Sequence, residues 1–104
     1  MDKKAVNIIK EELEKRGIKV IRIVLFGSRA KGDYKKDSDW DFLVVIDKNM
    51  DFSNKWEIID EIKIKLAKFR IPNDVILKSK EEVDREKNDV GRITYYILEE
   101  GVEV

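Results

Sequence analysis

Two short segments decide how this sequence is interpreted: LFGSRAKG at residues 25–32 and DSDWD at residues 37–41. The first ends a run of β-branched residues, which is typical of a buried strand, and then continues through Gly27 and Ser28. The second leads into FLVVI at residues 42–46, an apolar run that indicates a strand buried on both faces. Small and charged residues therefore stand where two consecutive predicted strands meet their connecting loop.

Asp39 and Asp41 are the first candidate site residues. Side chains two residues apart in a strand share one face, so two bare carboxylates there repel each other. A bound divalent cation removes that repulsion, and carboxylate and phosphate oxygens are the ligands that Mg²⁺ prefers. We therefore predict that Asp39 and Asp41 bind a metal ion; the alternative is a pair of solvated acids at an exposed strand start.

Gly27 and Ser28 are candidates for binding phosphate. A glycine directly after a buried strand lets the backbone turn and approach a ligand closely. The following amides and the Ser28 hydroxyl can donate to phosphate oxygens, while Arg29 and Lys31 add positive charge. Both cations could instead be solvated loop residues. If the two strands pair as a hairpin, this turn faces the carboxylates.

Asp74 is the third candidate carboxylate, because it opens a third predicted strand just after the only proline, Pro72. If that strand lies beside the second, three carboxylates could hold two cations, an arrangement that serves in-line phosphoryl and nucleotidyl transfer. Asp74 could then also accept a proton from an attacking hydroxyl. The alternative is an ordinary turn residue after proline.

Periodicity predicts an α/β chain with the order α-β-β-α-β-α-α. Strands are predicted at 20–26, 39–46 and 75–77. Helices are predicted from the start to about Arg16, at about 54–69 with Ser53 as its cap, from a capping box at Ser79, and at about 85–100. The helix at about 54–69 is predicted to have an apolar stripe that includes Trp56 and Phe69. The last helix is predicted to bury Val90, Ile93 and Ile97. We expect one domain over 1–104, with a small mixed sheet flanked by helices.

Composition excludes several kinds of chemistry. The 104 residues include 22 Lys+Arg and 22 Asp+Glu, with no Cys and no His. Thiolate nucleophiles, thiolate metal sites and His-based triads are thereby excluded. The balanced charge argues against direct nucleic-acid binding. No apolar run approaches the length of a membrane span, and the charged start lacks a signal-peptide core, so we expect a cytoplasmic protein with no membrane association.

The segment as a whole resembles a known motif. Gly27-Ser28, ten intervening residues and then Asp39-x-Asp41 are similar to the motif of the DNA polymerase β-like nucleotidyltransferase superfamily. The fuller pattern resembles its minimal nucleotidyltransferase (MNT) branch, and the likeness extends over nearly the whole chain. Lys31 stands where the family often has Arg, and Trp40 where a smaller aliphatic residue is common. We expect Trp40 to point away from the carboxylates, so neither departure removes a ligand.

The resemblance implies metal-dependent transfer of AMP from ATP, or of another nucleoside monophosphate from its NTP, to a hydroxyl acceptor, with release of pyrophosphate. It implies Asp39, Asp41 and Asp74 as catalytic and metal-binding residues, and two Mg²⁺ ions, with Mn²⁺ as the other candidate. Gly27, Ser28, Arg29 and Lys31 would bind the nucleotide. Members of this branch commonly act as antitoxins that adenylylate a tyrosine of a HEPN-domain ribonuclease toxin, which here would be a separate protein.

Two other functions remain open from the sequence. One is a non-catalytic module of the same fold that binds a partner. The other is nucleotidyl transfer to a small-molecule hydroxyl, as in aminoglycoside-modifying relatives. The chain is nearly all catalytic core and has little room for an acceptor-binding domain, which favours an acceptor supplied by a partner protein.

Overall fold

A mixed four-stranded sheet organises the fold. The computed structural model describes residues 2–104, with side chains from Lys3 onward. Its elements, in chain order, are α1 (Asp2–Glu14), β1 (Val20–Phe26), α2 (Ser28–Lys31), β2 (Trp40–Ile46), α3 (Phe52–Lys68), β3 (Asn73–Ser79), α4 (Lys80–Glu86), α5 (Ile93–Glu100) and β4 (Val102–Glu103).

The sheet has the strand order β3-β2-β1-β4. Strands β1 and β2 pair antiparallel, which confirms the hairpin arrangement considered from the sequence. Strand β3 lies parallel to β2 on its other side, and the two-residue β4 pairs antiparallel with β1. The end of β1 and the starts of β2 and β3 therefore meet at one edge of the sheet.

The apolar run of β2 is continuous because helices cover both faces of the sheet. Phe42, Val44 and Ile46 point into the core formed with α1 and α3. Leu43 and Val45 point the other way, into a smaller core that includes Val83 of α4 and Ile97 of α5. The predicted small mixed sheet flanked by helices is confirmed. Among residues 2–104, no helix has the length and apolarity needed to cross a membrane.

Helix caps follow the predicted chemistry at one site and differ at another. The Ser79 side chain accepts from the Glu82 amide and the Glu82 carboxylate accepts from the Ser79 amide, each at 3.0 Å, which confirms the capping box. The prediction of Ser53 as the cap of α3 was wrong. Asp51 caps it, accepting from the Asn54 amide at 2.9 Å, so the helix begins two residues earlier than predicted.

The predicted helix over 85–100 was also wrong, because it is interrupted. Helix α4 ends at Glu86 and α5 begins at Ile93. Between them the Asp89 side chain accepts from the Gly91 amide at 2.9 Å, a local bond that competes with helix formation. As a result Val90 and Ile93 are exposed, and of the three predicted inward residues only Ile97 is buried.

The buried stripe of α3 is narrower than predicted. Its buried residues are Ile58, Ile59, Ile62 and Leu66. Trp56 and Phe69, predicted to belong to this stripe, are 47% and 50% exposed, and Phe69 lies just beyond the end of the helix. Strand β3 is longer than the predicted 75–77, and β4 lacks a sequence signal strong enough to predict it.

Candidate active site

Asp41 and Asp74 lie side by side on neighbouring strands. They are register partners in the parallel pairing of β2 with β3. Neighbouring strands are about 4.8 Å apart, and register partners project from the same face of a sheet. The third strand therefore lies beside the second, as the proposed set of three carboxylates requires. The Trp40 amide donates to the Pro72 carbonyl at 2.9 Å and joins the two strands at this end.

The turn after β1 fits directly against Asp41. Phe26, the last residue of β1, is the register partner of Asp41. Gly27 has φ 74°, in the left-handed region that L side chains rarely adopt. A Cβ at Gly27 would collide with Oδ2 of Asp41. Glycine is favoured here by its backbone conformation, and a side chain at this position would also displace the Asp41 carboxylate.

Ser28 begins the short helix α2. The Gly27 carbonyl accepts from the amides of Ala30 and Lys31, each at 3.1 Å. The amides at the very start of a helix precede the first intrahelical acceptor. The backbone N–H groups of Ser28 and Arg29 therefore have no acceptor within α2 and can donate to an anionic group.

The carboxylates share one negatively charged edge of the sheet. Asp39 is exposed just before β2, Asp74 is exposed at the start of β3, and Asp41 is partly buried between them. Burial, followed by the negative charges of Asp74 and Asp39, raises the pKa of the Asp41 carboxyl above its usual range. A bound cation would offset this repulsion between the carboxylates.

The donor set fits a hard divalent cation, because it consists of carboxylate oxygens. Among the side chains described from Lys3 onward, however, no three acidic groups are gathered into a ready-made metal cluster. Oδ1 of Asp74 lies 3.7 Å from Nζ of Lys63 on α3. A cation held by all three carboxylates would have to draw their side chains together.

Arg29 is engaged with the loop that joins the two halves of the motif. Its guanidinium donates to the carbonyls of Lys36 and Ser38 at 3.0–3.3 Å. It also lies over the rings of Tyr34 and Trp40, 4.4 and 4.5 Å from their centroids. Arg29 therefore holds the loop that carries Asp39, a role that its position in the sequence did not reveal.

Lys31 reaches a different element. Its Nζ lies 3.2 Å from Oε2 of Glu100, at the end of α5, and both side chains are about half exposed. An exposed pair of this kind is weak, so it can exchange for another anion at little cost. Trp40 packs with the α1 and α3 core and stacks on Phe42, 6.4 Å between ring centroids, which confirms that it points away from the carboxylates.

Sequence reasoning did not find three neighbours of the site: Lys63, Glu100 and Tyr34. The first two contact the site only because α3 and α5 pack beside the sheet. The spacing of residues within a short segment cannot predict such contacts between distant elements. Tyr34 had a weak signal, since an aromatic residue inside a charged loop close to Arg29 is typical of a cation–π pair.

A strand-to-turn glycine pressed against one carboxylate, with two more carboxylates at the same sheet edge, is the kind of site that nucleotidyltransferases use. The family described as "Polymerase beta, Nucleotidyltransferase" matches residues 7–102. The chain belongs to this family and is a nucleotidyltransferase, as the resemblance implied.

Named relatives were found by sequence and by structure. A Methanocaldococcus jannaschii protein named as a protein adenylyltransferase is 33% identical over 101 residues, covering 89% of this chain and 93% of the relative. The mutant toxin-antitoxin MntA-HpeT has a TM-score of 0.64 at 14% identity and covers 99% of this chain and 71% of its own. A toxin-antitoxin with AMP-PNP has a TM-score of 0.61 at 22% identity, covering 93% and 69%. The two structural likenesses establish the fold.

Proposed function

We propose that this chain moves AMP from ATP to a tyrosine hydroxyl of a separate HEPN-domain toxin, and so acts as an antitoxin in the cytoplasm. Residues 1–104 would form a single minimal nucleotidyltransferase domain. The observation that carries the proposal is the placement of the Gly27 turn against Asp41, with Asp74 as the register partner of Asp41. The name of the Methanocaldococcus relative supports protein as the acceptor class.

The metal-binding residues in this proposal are Asp39, Asp41 and Asp74. Their oxygen donors suit Mg²⁺, with Mn²⁺ as the other candidate, and three carboxylates suffice for two ions. When bound, the ions supply positive charge that offsets the charge of the phosphate oxygens. Burial, and then the neighbouring Asp74 and Asp39 charges, raise the pKa of Asp41, as expected for a carboxylate that a bound cation would stabilise.

The triphosphate would lie along the start of α2. There the amides of Ser28 and Arg29 and the Ser28 hydroxyl can donate to phosphate oxygens. We retain Lys31 as a phosphate contact, reached by exchanging its exposed pair with Glu100. For Arg29 the proposed phosphate contact must compete with two loop carbonyls and two aromatic rings, so its main contribution would be to hold the loop.

The transfer itself exchanges one phosphorus–oxygen bond for another. The acceptor oxygen bonds to the α-phosphorus of ATP, the bond from that phosphorus to the bridging oxygen breaks, and pyrophosphate leaves with its electron pair. The acceptor proton passes to a carboxylate, for which we propose Asp74, since it lies exposed at the side of the site away from the Gly27 turn. The acceptor would therefore approach from the β3 side.

The experiment that tests this function follows the label of α-³²P-ATP in the presence of Mg²⁺. The chain is incubated with and without the protein encoded by the neighbouring gene, and the double variant Asp39→Asn/Asp41→Asn serves as the control. Label on the partner that disappears with the double variant supports the proposal. If the complex forms and no label is transferred, the chain is a binding module or uses a different nucleotide. Label on a small hydroxyl compound without the partner would indicate the small-molecule function.

A further inference from the structure

Lys63 is placed beside the site by the packing of α3 against the sheet. Ile62 and Leu66 of that helix are buried in the core, and Lys63 lies on the flank that faces β3. Its Nζ is 3.7 Å from Oδ1 of Asp74. A basic side chain from an element outside the motif thus contacts the carboxylate for which we propose a role as metal ligand and proton acceptor.

The Lys63–Asp74 pair has the properties of a contact that is made and broken easily. The two side chains are 41% and 56% exposed, and the separation is at the long end for an ion pair. Exposed pairs of this kind contribute little to stability, because water and salt screen them. Breaking the pair would therefore cost the fold little stability.

A divalent cation and the Lys63 ammonium would compete for the same oxygen atom. The ammonium carries one positive charge and a divalent ion carries two, so the ion has the stronger attraction for a cluster of three carboxylates. Two cations near one carboxylate also repel each other. Binding of the ion to Asp74 would consequently displace Lys63 from Oδ1.

We infer that Lys63 is a positioning residue that holds Asp74 away from Asp41 until a divalent ion takes the Asp74 carboxylate. Lys63 thereby sets the metal concentration at which the site assembles. This inference rests on the proposed function, because it takes Asp74 as a metal ligand. It adds a residue that lies outside the motif and acts through another side chain rather than on the substrate.

The test measures Mn²⁺ binding by water-proton relaxation at low ionic strength, without ATP or partner. Lys63→Met should lower the dissociation constant for Mn²⁺ by about two- to fivefold, because a competing positive charge at an exposed position is lost. It should lower the Mg²⁺ concentration for half-maximal AMP transfer in the same proportion. Lys63→Arg should restore the wild-type value, and Lys68→Met, which removes an exposed lysine from the same helix, should leave it unchanged.

Several outcomes would overturn the inference. Lys63→Met could bind Mn²⁺ as the wild type does, or more weakly, or its effect could be matched by Lys68→Met. Lys63→Gln provides a second neutral variant if the methionine variant folds poorly. If the wild type binds Mn²⁺ no better than Asp39→Asn/Asp41→Asn, then the metal site fails, and the proposed function fails with it. If wild-type binding depends on those two residues but not on Lys63, the inference alone fails.

Discussion

Oδ2 of Asp41 occupies the space that a Cβ on residue 27 would need, so the glycine of the turn and the carboxylate of the next strand are fitted to each other. This relationship joins the two halves of the motif across the antiparallel pairing of β1 with β2. It explains in steric terms why a glycine ends β1, and it predicts what a substitution there would do.

Gly27→Ala should destabilise the protein more than a glycine substitution elsewhere. The alanine would be strained by φ 74° and would push Asp41 out of place. Gly17 is the matched control, since it has φ 76° but nothing lies within 4 Å of its position for a Cβ. We expect Gly17→Ala to lower the free energy of unfolding by about 1 kcal/mol and Gly27→Ala by about 2–4 kcal/mol. Urea unfolding measures both, and equal losses would contradict the steric account.

Asp41→Asn should stabilise the protein when metal is removed. The raised pKa of Asp41 means that its charged form destabilises the folded protein. This destabilisation is present at neutral pH and disappears as the pH falls and the carboxyl becomes protonated. In EDTA at pH 7 we expect a gain of a few tenths to about 1 kcal/mol in the free energy of unfolding.

The same variant should lose the stabilisation that Mg²⁺ gives the wild type, because a ligand that binds only the folded state raises stability. Asp33→Asn, which changes an exposed acid of the loop, should alter neither the stability in EDTA nor the stabilisation by Mg²⁺. Thermal unfolding with EDTA and with Mg²⁺ separates the two effects. A destabilised Asp41→Asn protein that still responds to Mg²⁺ would show that Asp41 is a structural residue.

Arg29→Ala should loosen the loop between α2 and β2. The substitution removes hydrogen bonds to the Lys36 and Ser38 carbonyls and the contacts with two aromatic rings. We expect amide hydrogen exchange over residues 33–39 to become about ten- to a hundredfold faster, with little change in α1. Arg29→Lys should restore little of the protection, because an ammonium lacks the planar fork of a guanidinium. Unchanged exchange in Arg29→Ala would contradict the loop-holding role.

Glu12 should make stability depend on acid pH. Its side chain is buried between α1 and α3, with Lys65, Lys15 and Arg16 as ion-pair partners. Burial acts to raise the pKa of Glu12, but hydrogen bonds from these three cations outweigh it and lower the pKa from 4.5 to about 2. The stabilisation is therefore fully present above about pH 4.5 and is lost as the pH falls towards 2.

The expected size of this effect is on the order of 2–3 kcal/mol, reduced from the full linkage value because the lysine partners are partly exposed. Urea unfolding at pH 7 and at pH 2.5 gives the free energies of unfolding of the wild type and of Glu12→Gln. The effect is the amount by which the difference between the two proteins shrinks from pH 7 to pH 2.5. Glu14→Gln, an exposed change on the same helix, is the control. A difference between Glu12→Gln and the wild type that stays constant with pH would contradict the assignment.

The parts of the fold that could be predicted from the sequence depend on strong local signals. The β-branched run of β1, the apolar run of β2 and the Ser79 capping box each combine composition with spacing, and all three elements are present. Asp51 as a cap and the break near Gly91 were missed because several neighbouring polar side chains compete there for the same local backbone hydrogen bonds. Strand β4 has two residues and exists only because β1 offers a partner.

The residues of the candidate site likewise fall into those that local sequence signals predict and those that depend on packing. The motif predicted Gly27, Ser28, Asp39 and Asp41 together, because strand pairing brings the segments into contact. The placement of Asp74 depended on a parallel pairing that the sequence could only suggest. The contacts of Lys63 with Asp74 and of Glu100 with Lys31 join residues that are 11 and 69 positions apart, and they depend on where helices pack against the sheet.

We propose that the chain transfers the nucleotidyl group of ATP to a partner protein. The most direct measurement incubates the wild-type chain, the partner and Mg²⁺ with ATP labelled at either the α- or the γ-phosphorus, and then identifies the labelled residue of the partner. We expect the α-label to remain on a partner tyrosine, whereas the γ-label departs in pyrophosphate and the partner stays unlabelled. Transfer of γ-label to the partner, or no transfer of either label by an intact complex, would contradict it.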